Sequence, residues 1–347
     1  MLAAAAYALL AGWGVPAQRT VVMLAVVVAL TSGGCRWPAR WVLGTAAAVV
    51  VAFDPWALGQ PGFWLSFVAV GLLMASDPAT GPPAPRPTPP GPTWRRVLWD
   101  GAGAGLRAQA IATVGLAPLT LVFFQQISTV GFVANLLAVP VVTLLITPLV
   151  MAGALLPPLW WLADAVLAGL MAALQALAAW PAAVWHVAVA PAWALAAGLL
   201  GGAVAVMPLP WRLRLLGVPL MLPLLWPSVP RPAPGQFELV AVDVGQGTAV
   251  LVRTRAHLLV FDAGPAWGPG SDAGARVLLP LLRARGERRI DRLMLSHRDT
   301  DHTGGAGALL AGLPVGALHT ALEPGHPLRE APGGPAHQTC EAGQRWH

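Results

Sequence analysis

The sequence contains no lysine, one tyrosine and two cysteines, and only 10% of its 347 residues are charged. A water-soluble domain carries about a quarter charged residues. Most of this chain therefore does not face water, in keeping with its 56% hydrophobic content. The lack of lysine, beside abundant Ala, Gly, Pro and Arg, reports a GC-rich genome rather than a mechanism. Cys35 and Cys340 lie in different regions and neither has a CxxC partner, which excludes a zinc-type cysteine cluster and leaves the redox compartment unread. The opening stretch MLAAAAYALLAGWGVPAQR has no positive residue ahead of its apolar run. A secretory signal normally shows one, so the stretch is expected to be a membrane segment, one that can begin partway through a longer parent sequence.

What charge there is falls unevenly. The net +6 resides in residues 1–235, where ten arginines face four acidic residues, against eleven of each in residues 236–347. Such an excess serves to orient helices in a membrane; a path that attracts phosphates is the sharper alternative. Apolar stretches that reach or approach membrane-spanning length occur at 1–17, 20–34, 41–53, 62–76, 103–124, 130–156, 158–180, 190–210 and 213–227. Arg36 and Arg40, then Arg86, Arg95 and Arg96, then Arg212 and Arg214 fall between alternate stretches. If the stretches alternate, these clusters share the cytoplasmic side and everything after residue 228 lies on the other. Residues 77–93, DPATGPPAPRPTPPGPT, form a proline-rich connector. Pro118, Pro140, Pro148 and Pro191 interrupt the apolar runs, and Asn135 sits inside one of them. A buried amide in lipid needs a partner, so Asn135 either bonds a neighbouring helix or lines a path through the membrane. Asp164 has the position of a helix cap or a second such group.

The pattern changes at SVPRPAPGQ, residues 228–236, which reads as a linker between a polytopic segment over 1–227 and a second region over 237–347. There the period becomes two in FELVAVDVGQG, TAVLVRT and HLLVFDAG, predicting strands of an antiparallel or mixed sheet. DAGARVLLPLLRARG predicts a helix of about twelve residues, RIDRLMLSH a buried strand, and GGAGALLAGL another helix. The expected fold is a polytopic α-helical membrane domain followed by an α/β domain.

The strongest chemical signal is SHRDTDHTGG at 296–305. It places His297, Asp299, Asp301 and His302 within six residues, just after a buried strand. Two imidazoles and two carboxylates at a strand end make a metal site. Gly304 and Gly305 are expected to let the backbone turn into the next helix. Asp243 and Asp262, each followed closely by glycine, would alone read as turn formers.

The string resembles the HxHxDH metal motif of the metallo-β-lactamase superfamily, with Asp299 standing where the second histidine usually stands. That departure is typical of the ComEC-type competence branch. DVGQG at 243–247 and Asp262 in LVFDAG resemble further motifs of the same branch, in the same order. Many members carry Asp after the second glycine of the first motif; here it is Thr248, so no carboxylate role transfers to that position. YALLAGWGVPAQRTVVML (7–24), DPWALGQPGFWLSFVAVGLL (54–73) and FFQQISTVGFVANLLAVPVVTLLITPL (123–149) resemble the family's membrane region.

The resemblance implies an αββα fold for the second region and two divalent ions, zinc or manganese. His297 and Asp299 would serve one ion and Asp301 and His302 the other. Asp301 would also orient the attacking water, with Asp243, Asp262, Gly304 and Gly305 supporting the site. No GD or HHGS-type motif follows His302, where the family has its later ligands. The chain is therefore expected to be truncated at both ends relative to the family, its metallo-β-lactamase-like part incomplete and weakly occupied by metal. The implied function is an inner-membrane channel component for uptake of single-stranded DNA in natural transformation, with an attached metal-dependent nuclease on the non-cytoplasmic side. Lipid, other competence proteins and a second copy of the chain are the implied partners. A membrane-tethered metallohydrolase without transport, or an inactive fragment of the channel, are the alternatives.

Overall fold

The computed structural model describes residues 2–32, 37–76, 94–207, 209–330, 334–341 and 343–345. The proline-rich connector 77–93, Cys35, Arg36 and Arg86 lie outside the described residues. The chain divides into two units, Met1–Trp185 with Pro191–Leu225, and His186–Ala190 with Trp226–His347.

The first unit is helical: α1 (Leu2–Leu10), α2 (Val15–Ser32), α3 (Ala39–Phe53), α4 (Pro61–Ser76), α5 (Trp94–Phe124), α6 (Gly131–Val141), α7 (Thr147–Gly153), α8 (Pro158–Ala178), α9 (Ala192–Val206), α10 (Trp211–Arg214) and α11 (Gly217–Leu225). Two short strands, β1 (Gln126–Ser128) and β2 (Val184–His186), pair with each other. Among the described residues three helical stretches, Trp99–Phe124, Gly131–Gly153 and Pro158–Ala178, are long and apolar enough to cross a membrane. Four shorter apolar helices accompany them. At 1.5 Å per residue, helices of fifteen to eighteen residues reach only about 22–27 Å, which is why they fall short.

The first helix break differs from the expectation. It falls at 11–14, where Gly12 and Trp13 take positive φ angles of 87° and 49°, and α2 then opens at Val15 with Pro16 in its first turn. Arg19 therefore lies within α2 rather than in a loop. It is 8% exposed and donates to Gln60 Oε1 at 3.3 Å. Arg95 and Arg96 likewise belong to α5, and Arg40 to α3. A single π-turn, Val142–Ile146, joins α6 to α7. It precedes Pro148, which has no N–H to return to the carbonyl of Leu144. Small residues let helices meet: a Cβ on Gly201 of α9 would fall 2.6 Å from the Gly217 carbonyl oxygen of α11, and one on Gly202 would fall 2.7 Å from Pro118 of α5.

The second unit is an α/β layer. Strands β3 (Glu238–Ala241), β4 (Val250–Arg253), β5 (Leu258–Phe261), β8 (Ile290–Leu295), β9 (Val315–Thr320) and β10 (Ala336–Thr339) form one sheet in the order β10-β9-β8-β5-β4-β3. β3, β4 and β5 are antiparallel; β5, β8, β9 and β10 run parallel. β6 (Ala266–Gly268) and β7 (Ser271–Asp272) make a separate hairpin. Register aligns Val240, Leu251, Val260, Leu293 and Leu318 across one face. That row packs with Leu278, Leu282 and Leu309, from a π-turn (Gly274–Leu278), α12 (Leu279–Ala284) and α14 (Ala306–Gly312). The alternate row, Leu239, Val252, Leu259, Arg292 and Ala317, stays partly or fully exposed. The helix expected over 272–286 opens as that π-turn because Pro280 cannot return a hydrogen bond to Arg276.

Residues 228–236 are docked chain. Arg231 pairs with the buried carboxylate of Glu287, which also takes Arg253 Nε at 2.6 Å, and Val229 packs on Gly286. Val189 from the α8–α9 connection donates its N–H to Ala284 O at 2.8 Å.

Candidate metal centre

The centre lies where β5 and β8 end side by side. Parallel pairing of Phe261 with Met294 brings the residues after each strand together. Asp262, fully buried, follows β5 with φ 57°, a left-handed conformation that costs a non-glycine residue energy. Its carboxylate repays that strain by bracing the loop after β8. Oδ1 accepts the Ser296 N–H at 2.8 Å, and Oδ2 lies 2.8 Å from Ser296 Oγ and 2.7 Å from His302 Nδ1.

The loop then runs through His297 and Asp299 into a single helical turn, α13 (Thr300–Thr303), that carries Asp301 and His302. His297, Asp301 and His302 each present one ligand atom within 4.8 Å of the others. The two imidazole rings lie 3.9 Å apart between centroids. Asp299 Oδ2 sits 3.4 Å from His297 Nε2, and Asp301 Oδ2 sits 3.6 Å from His302 Nε2. Three of the four expected ligands thus group together, His302 mostly covered; Asp299, exposed, touches His297 but lies outside the group. Imidazole nitrogens with carboxylate oxygens fit a divalent metal ion, and the carboxylate share makes the set harder than a three-histidine site.

Backbone contacts hold this loop from behind. Thr248 N–H reaches Asp301 O at 3.2 Å and Ala263 N–H reaches His302 O at 2.8 Å. Asp243 is exposed and accepts from Gly245 N at 3.1 Å, shaping the 243–247 turn. Gly304 and Gly305 have ordinary negative φ angles of −55° and −86°. They form the turn between α13 and α14 without a positive φ. Residues 263–266 and Gly274 press so closely on them that no Cβ fits. His319 is buried on β9, 2.8 Å from Arg292, and is not among the grouped ligands. Asn135 belongs to the helical unit, on α6, with an exposed side chain.

Two features escaped the sequence reading. Ser296 looked like an ordinary residue before a histidine, yet its hydroxyl touches Asp262 and His297. Trp267, on the β6–β7 hairpin, lines an open cleft of about 670 Å³ with Gln246, Arg298, Asp299 and Asp301. A hairpin of two- and three-residue strands has too little alternation to be read.

Residues 1–212 match the model of the competence protein family. The chain belongs to that family. Residues 242–339 match the metallo-beta-lactamase superfamily, so the ligand loop falls inside that match. The chain is similar to YcaI of Escherichia coli, 31% identical over 99% of this chain and 44% of that protein. It is also similar to competence protein ComA of Neisseria gonorrhoeae, 34% identical over 91% and 44%, and to recombination protein 2 of Haemophilus influenzae, 26% identical over 100% and 47%. The chain thus spans about half the length of the curated relatives it matches. No solved structure matches it.

Proposed function

We propose that this chain is part of an inner-membrane path for single-stranded DNA in natural transformation, and that its α/β unit is a metal-dependent phosphodiesterase. The observation that carries the reading is the convergence of His297, Asp301 and His302 on the brace of Asp262, in a chain of the competence family. A divalent ion held there supplies Lewis acidity for phosphodiester hydrolysis. The reading takes two ions, with His297 and Asp299 at one and Asp301 and His302 at the other. Asp299 in place of a third imidazole moves preference from zinc towards manganese.

The chain's own groups do the rest. Asp301 faces the cleft and accepts a hydrogen bond from the attacking water. Arg298, exposed beside it, neutralises the phosphate, and the Trp267 indole offers a face on which a base stacks. The α/β unit works on the non-cytoplasmic side, supported by the alternation of the arginine clusters with the apolar stretches. Asn135 is a candidate for the DNA path, and further competence proteins, lipid or a second copy complete the channel.

The test is deletion of the encoding gene in its host, followed by measurement of labelled DNA reaching a nuclease-protected state. Loss of uptake, restored by the full-length gene, is expected. Undiminished uptake would contradict the transport reading and leave a membrane-tethered metallohydrolase.

A further inference from the structure

A histidine that binds a metal through Nε2 must carry its proton on Nδ1, and proteins commonly enforce this by giving Nδ1–H a carboxylate or carbonyl acceptor. Here one carboxylate lies behind two histidines. Asp262 Oδ2 is 2.7 Å from His302 Nδ1, so His302 has its acceptor directly. His297 Nδ1 instead faces the Ser296 hydroxyl at 2.8 Å.

Proton counting settles the direction of that bond. An ionised carboxylate only accepts, and a serine hydroxyl has one proton to donate. Ser296 Oγ lies 2.8 Å from Asp262 Oδ2, so that one proton goes to Asp262. Towards His297, Ser296 Oγ is then left with lone pairs alone, and Nδ1 must bring the hydrogen. The Nε2 lone pair of His297 is freed on the side of Asp299, 3.4 Å away, as that of His302 is freed beside Asp301, 3.6 Å away. The main-chain N–H of Ser296 bonds Asp262 Oδ1 at 2.8 Å. That bond fixes the Ser296 backbone against the Asp262 carboxylate.

We infer that Ser296 is a positioning residue of the metal centre, relaying the charge of Asp262 to His297 Nδ1 and setting the tautomer that presents Nε2 to a divalent ion. This rests on the divalent-metal reading of the loop. A single buried carboxylate thus orders both histidines, one by contact and one through a hydroxyl. Removing the hydroxyl takes from His297 its 2.8 Å partner and from His302 only a longer contact at 3.4 Å: Ser296→Ala keeps the backbone bond to Oδ1 and the 2.7 Å Asp262–His302 bond. Ser296→Thr keeps the hydroxyl and therefore the relay.

The experiment uses the full chain in detergent, labelled with ¹⁵N-histidine, metal-free, and at mildly alkaline pH. Long-range proton–nitrogen correlation then reads each tautomer. The unsubstituted protein is expected to show Nδ1–H at both His297 and His302. In Ser296→Ala, His297 moves to Nε2–H or a mixture while His302 is unchanged, and Ser296→Thr restores the original pattern. Chelator competition with zinc and with manganese is expected to show affinity falling about 10- to 100-fold in Ser296→Ala and recovering in Ser296→Thr. An Nε2–H tautomer at His297 in the unsubstituted protein overturns the relay without any variant. So does an alanine variant with unaltered tautomer and affinity, or a loss that threonine does not restore. If the unsubstituted protein binds neither metal, the metal reading of the loop fails, and the tautomers still decide whether the relay exists.

Discussion

In the helical unit few large side chains are fully buried: Leu224 is, beside small residues such as Ala46, Ala57, Ala194 and Gly201, while Phe53, Leu144 and Trp161 are 86%, 71% and 81% exposed. In the α/β unit Leu278, Leu282, Ile290, Leu293 and Leu309 are fully buried, and the ionic groups lie around them. The α/β unit holds a run of ion pairs between Arg231 and Glu323. The contrast follows from the solvent each unit meets. Water drives large apolar groups inward. Lipid is as apolar as leucine and gives them no such push, so helices associate through close backbone packing at small residues.

The largest effect that would break this comparison is at Gly201. A leucine there meets the Gly217 carbonyl and the side chains of Leu220 and Met221. Gly201→Leu is expected to prevent α11 from seating on α9, read as loss of monodisperse protein in detergent. Normal yield with an unchanged melting profile would show that the α9–α11 contact is not what holds the helices. In the α/β unit the sensitive change has the opposite sense. Leu293→Ala empties a fully buried site and should cost about 2–5 kcal/mol, seen as a lower denaturant midpoint for that unit.

The smaller effects sharpen the comparison. His319 is held below the ordinary imidazole range by burial, then by the charge of Arg292 and by His337 on the neighbouring strand. As pH falls through the ordinary value, the unfolded chain takes up a proton that the folded chain resists, so stability declines. Hydrogen exchange in β8 and β9, corrected for intrinsic rates, should quicken between about pH 7 and pH 5. His319→Gln should shrink that change, and an undiminished one would remove the assignment. At the lower limit, Leu144→Ala, at a side chain 71% exposed, should alter stability by less than about 0.5 kcal/mol.

The sequence made the two-part architecture legible because a membrane segment and a half-buried sheet write different periods. The candidate loop was legible because two histidines and two aspartates fall within six residues, three of which the fold groups together. Arg19 was misplaced because a charge inside an apolar run normally marks a loop; here Gln60, forty-one residues on, supplies a partner within the helical unit. β9, VGALHT, and β10, AHQT, lack an apolar alternation, and their pairing with β8 and with each other defines them. Ser296 escaped because a hydroxyl's role depends on two groups that only folding brings together, Asp262 being thirty-four residues away.

The central claim is that the loop after β8 holds a divalent metal for phosphodiester cleavage. The direct measurement is cleavage of end-labelled single-stranded DNA by the purified full chain with zinc or manganese, compared with chelator and with Asp301→Asn. Metal-dependent cleavage that falls at least about a hundredfold in both controls is predicted, equivalent to about 2.7 kcal/mol or more of transition-state stabilisation. Cleavage indifferent to chelator and to Asp301→Asn, or none with either metal, would contradict the account.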